Sequence, residues 1–240
     1  SGGVIRVRVA IADVDHFVPK GSALDRAAAQ NTTTVYTAAG VYPMLPRRLS
    51  EDVTSLLEGV VRLAVVTELD VSPDGKVVRS DHYPAVVKSR AKLTYDGVSA
   101  WLEGKGPAPP GVAGELVEQL ELQDAVAQSL RRARKENGGL GLDNAEPRAV
   151  RDENGKIVDI QAHVQTRAGA LVEDLMIAVN GAVARFLDAK GHPSLRRAVK
   201  TPERWYRSVE LASEWGGELP DAPDPRALSA FLATARQERP

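Results

Sequence analysis

The chain has 240 residues, of which 43% are hydrophobic and 26% charged, ordinary values for one large globular domain or two small ones. The absence of cysteine excludes disulfide staples, thiolate metal sites and cysteine nucleophiles. A formal net charge of -1 gives no global basic footprint for nucleic acid, so any such footprint must be local.

No apolar run approaches the roughly 20 residues that span a bilayer, and no signal-peptide pattern opens the chain. The expectation is a cytoplasmic protein without a membrane partner. Ser1-Gly2-Gly3 reads as the turn of a hairpin whose first strand lies before the sequence, and with no initiator Met the chain reads as a fragment. Val4–Asp13 alternates Val7, Val9 and Ile11 with Arg6 and Arg8, the period of a strand with one buried face. It then turns fully apolar at Val9-Ala10-Ile11-Ala12, which predicts burial on both faces there. Ser22 is an N-cap with Asp25 three residues on, so a helix is predicted over Ala23–Gln30. Thr32–Tyr36 favours extended structure, because β-branched and aromatic residues suit a pleated surface. Ser50 is read as the cap of a second helix that Gly59 ends, with Glu51 and Asp52 in its positive first turn.

Val60–Val71 and Lys76–Ser89 flank Ser72-Pro73-Asp74-Gly75 and predict a β-hairpin. A short helix, Tyr95–Glu103, follows Thr94. Gly104–Gly114 is a loop by its glycine and proline content. Glu115–Glu136 is a long helix with Leu116, Leu120, Ala127 and Leu130 at roughly helical spacing. The basic residues at its C-terminal end, Arg131, Arg132, Arg134 and Lys135, suit the helix dipole. Gly138-Gly139 ends it. Arg148–Arg151 and Lys156–Val164 form a second hairpin around Asp152-Glu153-Asn154-Gly155. Gly169–Lys190 is the clearest helix, with an apolar stripe running from Leu171 and Val172 to Phe186 and Leu187, and Gly191 as its terminator. Thr201-Pro202 and Asp224-Pro225 each place a cap before a proline, so two terminal helices follow. Early strands and later helices argue an α+β fold. His16, His82, His163 and His192 lack metal-ligand spacing and read as structural or surface residues. No Walker or dinucleotide glycine motif is present, so no nucleotide cofactor is expected.

The stretch VAIADVDHFVPKGSALDRAAAQNTTTVY, then PMLPRRLSEDVTSL, KSRAKLTYDGV (Lys88–Val98) and LVEDLMIAVN (Leu171–Asn180) resemble, in order, the catalytic domain of the ribonuclease II (RNB) family of exoribonucleases. The last quarter of the chain matches weakly. The resemblance implies an RNB-type catalytic domain, a mostly antiparallel sheet packed by helices around an RNA channel. Residues 1–240 would be a single incomplete domain, with OB-type RNA-binding domains expected outside it. The implied activity is 3′-to-5′ hydrolysis of single-stranded RNA to 5′-mononucleotides with Mg²⁺. The alternatives are a catalytically inactive RNA-binding module of the same fold, and a scaffold domain with no RNA role.

Phosphodiester hydrolysis without a covalent intermediate needs carboxylates holding divalent ions. The family's metal-holding aspartates lie in a loop before the strand that opens this chain, so the Mg²⁺ ligands are expected outside it. No metal ligand is assigned. Asp13 and Asp15, separated by one residue, would share a side if the strand continued, although acids at strand ends also cap loops. Asp13 matches the acid of the family's Ile-Ala-Asp motif and takes a supporting catalytic role. Tyr36 matches a tyrosine that stacks on the base at the RNA 3′ end, and an aromatic face accepts any base; without the resemblance it reads as a strand aromatic packed on a neighbour. Arg90, Lys92 and Tyr95 match the Ser-x-Ala-x-Leu-x-Tyr segment, the cations for phosphates and the ring for a sugar or base. Against this stands a solvated strand edge protected by charge. Glu173 and Asn180 match the long-helix pattern and share one face about two turns apart. Glu173 would accept from ribose hydroxyls, which distinguishes RNA from DNA, and Arg167 is expected to pair with it. The chain departs from the family at Gly139–Leu142, where many members place a second stacking aromatic. It departs again at Leu195–Ala198, which lacks a family histidine.

Overall fold

The computed structural model describes residues 3–37, 40–139, 146–163, 165–196 and 202–238, and for 146–148, 163 and 236–238 the backbone alone. The Ser1-Gly2 turn, Leu140–Leu142, Val164, Arg197-Ala198 and Thr201 lie outside the described residues. In chain order the elements are β1 (Ile5–Ala12), α1 (Ala23–Asn31), β2 (Val35–Tyr36), β3 (Val41–Tyr42), a π-helix (Arg48–Val53), β4 (Val61–Val71) and β5 (Val77–Lys88). There follow α2 (Tyr95–Leu102), α3 (Glu115–Glu136), β6 (Glu146–Arg151), β7 (Ile157–His163), α4 (Arg167–Ala189), α5 (Trp205–Glu214) and α6 (Pro225–Glu238).

The main sheet is three-stranded and antiparallel, in the order β1-β4-β5. One face buries Val7, Leu69 and Val71 against Val126, Ala127 and Leu130 of α3 and Leu171, Leu175, Val179 and Ala182 of α4. Apolar burial of this kind contributes about 25 cal/mol per Å² and fixes both long helices across the strands. The helices cover only part of that face. Near the end of β1, Ile11 is 44% exposed and Val65 beside it 43%, so the double-sided burial expected at Val9–Ala12 does not occur. The opposite face carries Arg6 on Asp70 and Arg8 on Glu68, each at 2.7 Å, between directly paired strand residues. The hydrogen bond from Arg6 holds the Asp70 carboxyl below its usual pKa.

Local signals account for most boundaries. Ser22 Oγ accepts the Asp25 N–H at the start of α1. Thr94 and Thr166 cap α2 and α4 in the same way. Gly191 closes α4 at a φ of +70°, and Asp224 accepts the N–H groups of Arg226 and Ala227 to start α6. Three expectations change. Thr32 is not extended: it sits at a φ of +60° and caps the end of α1, an uncommon conformation for a β-branched residue. Ser50 is inside a helical turn rather than before it. The segment is a π-helix in which Thr54 N–H reaches Leu49 five residues back, and no side chain caps its start. Arg62 of β4 ties this segment to the sheet through Asp52 and the Ser55 carbonyl. At α5 the helix begins at Trp205 without a side-chain cap. There Trp205, Ala212 and Leu219 form a second small core with α6 residues.

Of the histidines, His82 is built into the packing. Its Nδ1 lies 3.0 Å from Thr67 Oγ1, and its ring lies 5.0 Å from that of Phe186. The His163 side chain lies outside the described residues.

Candidate nucleic-acid interface

Tyr36 stands on the β2–β3 loop, where it pairs with Val41. Asn31 Nδ2 donates to the Met44 carbonyl, and Met44 N–H donates to Thr34 Oγ1, both at 3.0 Å. Leu45, the residue after Met44, is buried. The loop is therefore braced while the Tyr36 ring is 77% exposed. A large ring held in water with no core to fill is available to a flat ligand. Tyr42, on the other side of the same ribbon, is also exposed. Its only signal in the sequence is a second tyrosine six residues after Tyr36, and it pairs with Val35.

Asp13 ends up in a tight turn. Its N–H donates to Leu63 O, and its Oδ1 accepts from the His16 N–H at 3.2 Å. The strand stops at Ala12, and Val14 N–H turns back onto the Ala12 carbonyl. Asp13 and Asp15 are thus turn residues and do not share a strand face. Among the described residues no group of three or more His, Asp or Glu side chains is placed to hold a metal ion.

Beyond β5 the chain keeps its alternation. Glu58 and Ser89 pair as an isolated bridge, Gly59 N–H donates to Ser89 O, and Lys92 N–H donates to Glu58 Oε2 at 2.9 Å. Arg90 and Lys92 point outward, exposed, between half-buried Ala91 and Leu93. Neither cationic head forms an ion pair among the described residues. Tyr95, the first residue of α2, is 57% exposed.

Glu173 and Asn180 occupy the exposed face of α4. The expected Arg167–Glu173 pair does not form. Gln165 Nε2 donates to Glu173 Oε2 instead, and Arg167 turns to the other side. Its Nη2 and Nε bind Asp124 of α3 at 2.5 and 3.1 Å, and its Nη1 donates to the Leu102 carbonyl of α2 at 2.9 Å. The hydrogen bonds to Asp124 raise the already high pKa of that guanidinium. Ser99 of α2 accepts the Ala168 N–H at 2.9 Å, satisfying a helix-start donor that has no partner within α4. These contacts fix α2, with Tyr95, on the helix that carries Glu173. No hydrogen bond or ion pair among the described residues connects the side chains of Tyr36 or Asp13 to that frame.

The inner face of α4 holds a buried charge cluster that no sequence motif marks. Asp174 is 1% exposed; its Oδ2 accepts from Arg131 Nε at 2.7 Å and lies 2.6 Å from Arg131 Nη2. Arg134 Nη2 lies 2.8 Å from its other oxygen, outside hydrogen-bonding alignment. The basic end of α3 is therefore a cross-helix clamp as well as a complement to the dipole. An arginine-walled cavity of about 370 Å³, with Asp124, Arg131, Arg132 and Arg167 over Ala127 and Leu171, opens along this seam.

The RNB domain family model matches residues 1–238. The chain is 38% identical over 196 residues to Ribonuclease R of Thermotoga maritima, covering 81% of this chain and 27% of that protein. It is 35% identical over 237 residues to Ribonuclease R of Escherichia coli, covering 96% and 29% respectively. The structure of Mycoplasma genitalium RNase R in complex with ribose methylated single-stranded RNA superposes with a TM-score of 0.87 at 26% identity, over 98% of this chain and 37% of that one. The chain thus spans under a third of the length of those curated relatives, and it belongs to the RNB domain family.

Proposed function

We propose that this chain is part of a 3′-to-5′ exoribonuclease that hydrolyses single-stranded RNA to 5′-mononucleotides, and that it forms one wall of the RNA channel. The observation that carries the reading is the exposed Tyr36 ring on a braced loop. An enzyme that removes every nucleotide in turn needs contacts blind to base identity. Stacking supplies them at about 1–3 kcal/mol per base. Arg90 and Lys92 hold phosphates, Tyr95 packs on a sugar or base, Glu173 accepts from a ribose 2′-hydroxyl, and Asn180 contacts the strand farther along the same helix face. Relatives named Ribonuclease R, and a related fold bound to single-stranded RNA, support this assignment. Asp13 shapes the loop at the end of β1 by holding the His16 amide.

Among the described residues the acids do not make a ligand set for a divalent ion. In our reading any Mg²⁺ is held by carboxylates of the parent polypeptide outside this chain. The second reading is an RNA-binding module of the same fold without hydrolysis. The two separate on one assay, in which the intact protein either releases 5′-mononucleotides from single-stranded RNA or binds it, with salt-dependent affinity, and leaves it whole.

Two variants of the intact protein test the site. Tyr36→Ala is expected to weaken hold on the 3′-terminal nucleotide by about 1–3 kcal/mol and to change the length of the final product, read on a sequencing gel. Identical end products would remove the stacking role. Glu173→Gln is expected to reduce preference for RNA over DNA by about tenfold or more, since a hydrogen bond to a charged acceptor contributes roughly 1.5–3 kcal/mol. An unchanged preference would remove the ribose role.

A further inference from the structure

We infer that Gln165 is a positioning residue for sugar recognition, an amide that holds the Glu173 carboxylate ready for a ribose 2′-hydroxyl. The inference rests on the ribose role proposed for Glu173. Gln165 lies in the short link between β7 and α4, just before the Thr166 cap. Its Nε2 donates to Glu173 Oε2. Both residues are exposed, so packing does not dictate the contact.

Glu173 has no ion pair among the described residues, and the arginine nearest it in sequence on α4, Arg167, is committed to Asp124 and the Leu102 carbonyl. An exposed glutamate samples many rotamers, and fixing one of them costs side-chain entropy. If that cost fell at the moment of RNA binding, it would subtract from the discrimination that the 2′-hydroxyl provides. The Gln165 amide, bonded to Oε2, offsets part of it beforehand. Because Gln165 engages Oε2, Oε1 keeps its lone pairs for an incoming hydroxyl donor. An amide also leaves the net charge beside the carboxylate unchanged, so the phosphates of RNA and DNA are treated alike and only the sugar is read.

The test uses the intact protein and the ratio of kcat/KM on single-stranded RNA to that on DNA of the same sequence, together with RNA carrying a single 2′-deoxy nucleotide at successive positions from the 3′ end. Gln165→Ala is expected to lower the RNA:DNA ratio by about fivefold, through the entropy of one freed side chain, and to blunt the penalty at one deoxy position. Gln165→Glu, which places like charges together, is expected to lower it further. Gln165→Lys keeps a donor of similar reach and is expected to hold the ratio within about twofold of wild type, although it tightens both substrates. A structural role would change the rate on RNA and DNA together and leave the ratio alone. If Glu173→Gln lowers the ratio and Gln165→Ala does not, the positioning role is overturned while the ribose reading stands. If Glu173→Gln leaves the ratio unchanged, the ribose reading fails and the positioning role falls with it.

Discussion

Replacing Asp174 by alanine is expected to cost about 3–5 kcal/mol of stability, the range for breaking a buried ion pair from one side. The carboxylate is almost fully inside the seam between α3 and α4, with two guanidiniums directed at it. Removing it leaves Arg131 and Arg134 facing each other with no counter-charge, on a surface that also carries Ala127 and Leu130 of the core. Each arginine keeps about a third of its side chain in water (34% and 33%), so part of the charge can rehydrate and the loss should fall toward the lower end. Asp174→Asn keeps the volume and one acceptor but not the charge, and should lie between the alanine variant and wild type. The control is Arg8→Ala, at an exposed position of β1. Its ion pair is solvent-exposed, and such pairs contribute little. Urea unfolding of the intact polypeptide reads all three, with midpoints compared at constant slope. An Asp174→Ala midpoint no lower than that of Arg8→Ala would mean the clamp is a surface decoration.

That clamp shows why part of the molecule was legible in the sequence and part was not. The strands, both hairpins and the long helices follow from short-range rules. Caps at Ser22, Thr94 and Asp224, terminators at Gly138 and Gly191, and hydrophobic period were enough to place α3 at Glu115–Glu136. The Asp174–Arg131 contact joins residues 43 positions apart, and nothing local demands it. The helix dipole already accounted for a basic C-terminal end, so the arginines raised no question. The available signal was the acids. Asp124 interrupts the apolar side of α3, and Asp174 sits between Leu171 and Leu175, where a lone carboxylate is too costly to bury unpaired. Arg167 is near Glu173 in sequence, but from the first turn of α4 it reaches α3 and the end of α2 instead. The Thr-rich run is a strand only at Val35-Tyr36 for another reason: β propensity describes a pleated surface, and at Thr32 the chain has to leave a helix. Composition and propensity would have packed Tyr36 against a neighbour, and the family pattern alone kept its ring for RNA. The pairing of Asp13 with Asp15 assumed that the strand continued past Ala12, and it does not.

Gly75→Ala is expected to destabilise by roughly 2–4 kcal/mol, and Gly155→Ala by only about 1 kcal/mol, although the two glycines do the same local job. Each closes a hairpin loop. Gly75 N–H donates to Ser72 O and Ser72 N–H to Lys76 O; Gly155 N–H donates to Asp152 O and Asp152 N–H to Lys156 O. Their φ angles are +76° and +78°, and each loop is followed by a one-residue register shift in its strands. This is the three-residue hairpin loop with a glycine bulge, so the conformational penalty of a Cβ is common to both. The surroundings differ. A Cβ on Gly155 meets nothing within 4 Å, whereas one on Gly75 would lie 2.1 Å from the Ser129 carbonyl oxygen and 2.5 Å from its carbon. That oxygen belongs to the backbone of α3 and cannot rotate away as a side chain would. Either the β4–β5 turn must lift off the helix or α3 must shift in the core it shares with Leu69 and Val71. Close packing makes either adjustment expensive. The two variants together separate backbone strain from tertiary contact, which neither does alone. The difference in their urea midpoints measures the docking of the hairpin tip on α3, and faster hydrogen exchange at the Ser129 and Leu130 amides should appear for Gly75→Ala alone. Equal losses at the two positions would show that the tip does not bear on the helix.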